Sequence, residues 1–400
     1  MNDIDWSEVR AGFAALSDKT FLDAACVSVA PKRATDALAR FAELTATCPF
    51  RSATEAHIAM DEARAAVRPL AARMLGAKPE EIAIVESTTE GLSTLARALD
   101  WKDGDRVALS SLEFLQVAMP WAQLEGVALD PIAHEGGTFS VDDVARAIGP
   151  RTRMVAISSV QWSHGFRCDL DAIASLCRER GVWLVVDAVQ QLGAFPIDVS
   201  RTPVDVVIAG GHKWLNSPFG AGVMYVRGER LAELKMPIGG YLSLEPPAGG
   251  WGTYFQTPSI TPFREYRLVD EARALETGGT ANYPGAVALA ASMELVLELG
   301  QDRIASRIEG LASRAIEGLQ ASGARVVTPT DPAQRAGIVT FDLGSPAANE
   351  ACMNALLDAS VLVSVRYTDH VGGVRVSCHY FDDESDVDRL LDVIAAHRGG

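Results

Sequence analysis

Between about residues 60 and 230 the chain alternates two patterns, and this alternation restricts its possible folds more than any other feature. Short β-branched runs, IAIV (82–85), RVALS (106–110), MVAIS (154–158), VWLVVD (182–187) and VDVVIAG (204–210), are apolar almost throughout. A strand with one wet face alternates apolar and polar residues. A nearly continuous apolar run suits a strand covered on both faces, as in a parallel sheet. Between several runs lie stretches with apolar residues three and four apart, such as DLDAIASLCRERG (169–181), which ends on glycine as helices often do. Strand alternating with helix predicts an α/β fold with a mostly parallel central sheet.

The pattern changes further along. A Gly- and Pro-rich stretch, PIGGYLSLEPPAGGWGTYFQTPSITP, spans 237–262. Irregular segments of that length usually serve function or an interface. A long helical region follows from Pro284 to about Ala321, broken near Gly300. Then come strand-like runs at GARVVTP, GIVTFDL and VRVSCHYF and a closing helix, DESDVDRLLDVIAAHR. The expected organisation is an N-terminal helical segment over 1–20, a large domain over 21–285 and a smaller α+β domain over 286–400. No fixed-period repeat or low-complexity tract interrupts it.

Composition excludes several classes. A net charge of −16 argues against a general nucleic-acid binder, whose phosphate contacts need clustered Lys and Arg. The sequence MNDIDWSEVRAGF has neither the basic nor the apolar region of a signal peptide, and no apolar stretch approaches the ~20 residues of a membrane helix. The six cysteines show no CxxC pair or ligand-like spacing, so neither a metal site nor a disulfide framework is expected. Free thiols in the cytoplasm are the expectation. No GxGxxG follows the first strand and no GxxxxGK[ST] occurs, so nucleotide-binding readings lack support.

Open parallel sheets bind ligands beyond the carboxyl ends of their strands. There the sequence places Asp187 with Gln190 after VWLVV, and His212-Lys213-Trp214 after VDVVIAG. It also places Ser87, Thr88 and Thr89 after IAIV, and Glu113-Phe114 after RVALS. A lysine for an aldehyde, an acid for a pyridinium nitrogen, a hydroxyl-rich helix start for a phosphate and an aromatic face for a ring suit pyridoxal 5′-phosphate (PLP). Each residue also has a plainer use. A lysine after a strand is usually solvated, Asp187 and Ser87 are good helix caps, and Phe114 could be core.

The run DAVQQLGAFPIDVSRTPVDVVIAGGHKWLNSPFGAGVMYV resembles the cofactor core of the class V aminotransferase-fold enzymes: cysteine desulfurases, selenocysteine lyases, isopenicillin N epimerase and kynureninase. The likeness continues through ESTTEGL, SLEFLQVAMPW, ETGGTANYPG and VRVSCHYFDDESDVDRLL, covering most of the chain from about residue 20. It implies a PLP-dependent fold type I enzyme, a homodimer with a shared active site, acting on a small-molecule amino acid. Lys213 would form the Schiff base and then act as base at Cα. Asp187 would meet the ring nitrogen and Gln190 the ring hydroxyl. Ser87, Thr88, Thr89 and His212 would hold the phosphate, and Thr280 would reach it from the partner subunit. Phe114 would stack on the ring, and Arg375 would bind the substrate carboxylate with its fork of donors. An ordinary salt bridge is the alternative for Arg375, and Arg366 is a second candidate. His164, in VQWSHGF, would sit by the ring hydroxyl or the substrate, with a structural hydrogen bond as the alternative.

The departures matter equally. Desulfurases carry a His where Phe114 stands and a persulfide-forming Cys in the loop before the carboxylate Arg. Here VRYTDHVGG (365–373) has no Cys, and Cys378 falls inside a predicted strand, where packing is expected. Gly210 replaces a Ser that often binds phosphate. A sulfur relay of the desulfurase kind is therefore disfavoured. The expected reaction is C–S β-lysis of cysteine or a cysteine derivative; the alternatives are an aminotransferase or an amino-acid epimerase. From another class, a PLP-fold binding module without catalysis stays open, although Lys213, Asp187, Gln190 and Arg375 are all present.

Overall fold

The computed structural model describes residues 4–399. Seven strands form the central sheet: β1 (Ile82–Val85), β2 (Arg106–Ser110), β3 (Ala128–Ile132), β4 (Thr152–Ser158), β5 (Trp183–Asp187), β6 (Val206–Gly210) and β7 (Gly222–Val226). Their order is β1-β7-β6-β5-β4-β2-β3. All pairings are parallel except those of β7, which runs against both β1 and β6. The carboxyl ends of the other six strands therefore lie along one edge. The α/β fold with a mostly parallel sheet read from the sequence is present.

Burial on both faces explains the apolar runs. Every residue of β1, β5, β6 and β7 is buried. Edge strand β3 instead alternates and contains Pro131, whose missing N–H an edge tolerates. Helix Leu170–Arg180 starts on Asp169, whose carboxylate accepts from Ala172 N, and stops at Gly181 in the left-handed region (φ 67°). Strands β6 and β7 meet closely at Gly210 and Gly222. A Cβ on Gly222 would lie 2.5 Å from Ala209 O, so only glycine fits beside the loop that carries Lys213.

The C-terminal unit is a four-stranded antiparallel sheet of β8 (Arg325–Val326), β9 (Ile338–Asp342), β10 (Ser364–Thr368) and β11 (Val371–Ser377), in the order β10-β11-β9-β8. Helices Gln301–Ala321, Pro346–Asp358 and Glu384–Gly399 surround it. Its core joins Leu311, Ile316, Phe341, Val374 and Ile394 to Leu22 from the distant N-terminal segment. Helix Tyr283–Leu299 buries Leu289, Met293 and Val296 in the core of the large sheet. This corrects the expected boundary: apolar packing assigns 286–299 to the large unit, and the smaller one begins near Gly300. Of the expected N-terminal segment, residues 1–3 lie outside the described residues. Helix Trp6–Ala11 is followed by a single 3-10 turn, Ala14–Ser17. Thr20–Phe21 then pairs in parallel with Val361–Leu362. The 237–262 stretch contains only short helical turns at Tyr241–Ser243 and Gly250–Tyr254. Nearby, Phe255 and Phe263 are exposed.

Candidate active site

Five strand ends converge on one cleft. Asp187 closes β5 and is 4% exposed. One carboxylate oxygen accepts from Val189 N at 2.9 Å, and no other hydrogen bond reaches the group among the described residues. Burial raises the acid to about 6, against the pull of Val189 N–H and the Lys213 ammonium. A buried carboxyl with no direct cation lacks a positively charged donor, and a protonated ring nitrogen is such a donor. Lys213 follows β6. Burial lowers its amine to about 8, opposed chiefly by Asp187 and assisted by Arg375. At neutral pH a larger share of the amine is thus free base than for an exposed lysine.

The residues of the expected phosphate cradle stand beside this pair. Ser87 caps helix Thr88–Ala98 by accepting from Glu90 N. The helix's first N–H groups have no partner within it and point toward the cleft end of β1. Thr88 is buried, and its hydroxyl accepts from Gly210 N at 2.9 Å, leaving its own proton to donate. Thr89 is exposed. His212 stacks on Phe219 at 5.1 Å, and burial lowers it to about 4, so its ring is neutral. A Cβ at Gly210 would come within 3.0 Å of His212 Nδ1 and 3.3 Å of Thr88 Oγ1, so a side chain there would have to shift these neighbours slightly. Thr280 is exposed in the segment after Glu276.

Gln190 is fixed at both ends: Nε2 donates to Ala25 O at 3.1 Å, and Oε1 accepts from Trp214 Nε1 at 2.8 Å. One N–H of Nε2 remains for a ligand. Trp214 is in turn stacked on His379 at 5.0 Å. Phe114 begins the helix Leu115–Ala122, is 47% exposed, and meets Trp162 edge to face at 5.3 Å. Glu113 beside it is buried, accepting from Ser158 N, Ser158 Oγ and Gln161 Nε2. Burial raises Glu113 to about 7.

His164 does not belong to this cleft, which corrects the expectation of a cofactor contact. It is fully buried; Nδ1 faces Ser163 Oγ at 3.0 Å and Nε2 faces Gly137 O at 2.7 Å. Both ring nitrogens are used by protein atoms, and burial lowers the ring to about 4. The structural alternative holds.

The opposite wall comes from the C-terminal sheet and the N-terminal segment. Arg375, on β11, is 1% exposed. Its Nη1 donates to Trp162 O and its Nη2 to Asp23, both at 2.9 Å, while Nε has no partner. A buried unpaired guanidinium N–H is costly unless a ligand or water meets it. Asp23 is a residue the sequence reading missed. Its only signal was its place in the 20–30 segment, otherwise apolar and small. Arg366, on β10, reaches Cys26 Sγ at 3.6 Å. Between β10 and β11 the chain turns in two residues, Asp369 (φ 44°) and His370 (φ 64°), the left-handed pair of a type I′ hairpin. Asp369 bonds Ser111 Oγ and His134 Nε2, tying this hairpin to the large unit.

Comparison with known proteins agrees with this geometry. The "Aminotransferase class-V" family matches residues 20–390. A cysteine desulfurase of Salmonella agona is 28% identical over 409 aligned positions, covering 96% of each chain. A solved variant of C-DES, with glycine covalently linked to its PLP cofactor, has a TM-score of 0.84 at 26% identity, covering 96% of this chain and 98% of that one. The cystine C–S lyase C-DES with its reaction product cysteine persulfide has a TM-score of 0.83 at 25% identity, covering 96% of this chain and 99% of that one. An apo cysteine desulfurase of Thermococcus onnurineus NA1 shares the fold, with a TM-score of 0.85 at 24% identity over the full length of both chains. The cleft offers a buried acid, a low-pKa lysine, an open helix N-terminus and an unpaired buried arginine N–H, a set of donors and acceptors that PLP and an amino acid fit. The chain belongs to the class V aminotransferase family and is a PLP-dependent enzyme.

Proposed function

We propose that this enzyme cleaves the Cβ–S bond of cysteine or a cysteine derivative, with cystine as the leading substrate. The observation that carries this reading is the β10–β11 hairpin. Where desulfurases carry a cysteine-bearing loop, this chain makes a two-residue turn with no thiol, tethered by Asp369. Sulfur then leaves without a relay residue on that loop, and a relative of similar fold, the cystine C–S lyase C-DES, has cysteine persulfide as its reaction product.

When bound, PLP supplies an electron sink for the pair left at Cα. Asp187 would favour a protonated ring nitrogen, because its buried carboxylate, otherwise aided by Val189 N–H and the nearby Lys213, gains a direct cationic donor there. Gln190, held by Ala25 and Trp214, donates its remaining N–H to the ring hydroxyl. Phe114, half-exposed and set edge to face against Trp162, would cover one ring face. Ser87, Thr88, Thr89, His212 and the helix N-terminus hold the phosphate, joined in a homodimer by the partner subunit's Thr280. Arg375 takes the substrate α-carboxylate through its unpaired Nε and its remaining N–H groups. Lys213 would hold the cofactor and, as a free amine, would take the Cα proton; its lowered pKa suits it to act as a base near neutral pH. In the lyase reading the pair left at Cα would expel the Cβ substituent as a thiol or persulfide. The six cysteines are all unpaired, which fits a reducing cytoplasm.

Purified holoenzyme given cystine, cysteine and S-alkyl cysteines should release pyruvate together with a persulfide, sulfide or thiol. Transfer of the amino group to a 2-oxo acid, or inversion at Cα, without pyruvate would overturn the lyase reading in favour of an aminotransferase or an epimerase.

A further inference from the structure

We infer that Cys26 is a sulfur-accepting thiol of this active site, taking the sulfane sulfur of the persulfide that C–S cleavage of a disulfide substrate produces. The inference rests on the lyase reading and adds a fate for its sulfur product. Cys26 lies in the segment that crosses from the C-terminal sheet to the cofactor wall. Asp23 binds Arg375, Ala25 O accepts from Gln190, and Ser28 N donates to His212 O at 2.9 Å. Cys26 sits between these three anchors, each a contact to a proposed cofactor or substrate residue. Its position is thereby fixed, yet the residue is exposed.

Two further observations mark a ligand position beside it. Arg366 directs Nη2 at the sulfur from 3.6 Å and forms no ion pair among the described residues, so a guanidinium faces the thiol with charge to spare. Arg375, almost wholly buried, leaves Nε without any partner.

The step balances without an outside oxidant or reductant. The Cys26 thiolate attacks the outer sulfur of R–S–SH, and a new S–S bond forms at Cys26. The original S–S bond breaks, and its electron pair leaves on R–S⁻, which takes the proton Cys26 gave up. The products are a free thiol R–SH and a Cys26 persulfide. The hairpin cysteine of desulfurases is thus absent, and a thiol arrives from the opposite side of the cleft.

The test uses holoenzyme quenched shortly after addition of cystine and alkylated, followed by peptide mass spectrometry. The expected result is the mass of one extra sulfur on the peptide containing Cys26, lost in Cys26→Ser. The peptide containing Cys48, the other exposed cysteine, at the end of helix Lys32–Thr47, should carry none. Arg366→Met should reduce the marked fraction several-fold. Pyruvate accumulating without sulfur on Cys26, or equal marking of Cys26 and Cys48, overturns the inference. If no pyruvate forms, the lyase reading has failed, and preformed cysteine persulfide given to the holoenzyme decides the matter for Cys26 alone. Selective marking over Cys48 supports it, and its absence refutes it.

Discussion

Asp187 and Lys213 stand at the ends of adjacent parallel strands, and Thr88 at the end of β1 beyond the antiparallel β7, whereas Asp23, Cys26 and Arg375 come from an N-terminal segment and an antiparallel hairpin that meet across from them. The first wall is held by strands buried on both faces, and its polar groups have few alternatives to a bound ligand. The second is held by pairings between residues more than three hundred positions apart, such as Asp23 with Arg375 and with Ser364. One wall is fixed by the sheet itself; the other exists only when the two units close on each other. Cofactor chemistry on the first wall and substrate choice on the second follow from that difference.

Lys213→Ala should break the comparison at its strongest point. The enzyme should lose the visible absorption band of its bound cofactor, and pyruvate release should fall by about 10³-fold or more, the range set by general-base loss. The wild-type amine, lowered to about 8, should take up the cofactor faster as pH rises through that value. An absorption band kept by the variant would remove Lys213 from the centre of the site.

Glu113→Gln addresses what keeps the first wall rigid. The buried acid titrates near 7 in the folded protein against an ordinary value of 4.5. Below pH 4.5 both states hold the proton and its contribution to stability is whole. Between pH 4.5 and 7 the unfolded chain has given up a proton that the folded one retains, so stability falls across that window, by on the order of 3 kcal/mol, and changes no further above it. Asp187, raised to about 6, acts in the same direction, whereas the buried rings of His164, His212 and His379, all lowered, add stability as pH rises toward 6.5; the Glu113 share is therefore read as the difference between wild-type and variant melting curves across pH 4.5–7. In the variant this decline should flatten, although Gln cannot accept all three bonds and should lower stability at acid pH. Melting curves that fall in parallel with pH would show that Glu113 does not titrate in this range.

The same contrast explains what the sequence made legible. Asp187, Gln190, His212 and Lys213 follow continuous apolar runs, and strand ends in a parallel sheet share one edge whatever the long-range packing. Strands β3, β7 and β10 were missed for local reasons. Pro131 and a wet face disguise β3, β7 lies within a glycine-rich run, and β10 (SVRYT) is half-polar. His164 was misplaced because its partner, Gly137 O, comes from a distant turn that no spacing reveals. Asp23 was missed for the same reason: its meaning arises only when Thr20–Phe21 pairs with Val361–Leu362. The boundary near Gly300 depends on which core receives helix Tyr283–Leu299, and an apolar helix face does not name its partner.

Arg375→Lys sharpens the comparison with the smallest effect. The variant keeps a positive charge near Asp23 but loses the fork of donors that spans Trp162 O, Asp23 and an incoming carboxylate. A substrate carboxylate should then be held by a single point charge, raising KM by about tenfold, equivalent to about 1.4 kcal/mol. The first wall is untouched, so cofactor absorption should be unchanged and kcat should move by no more than about twofold, since the lost contact serves ground and transition states alike. A fall in kcat with constant KM would instead mean that Arg375 acts on the chemical step through Trp162 and Phe114, and the two walls would no longer be separable.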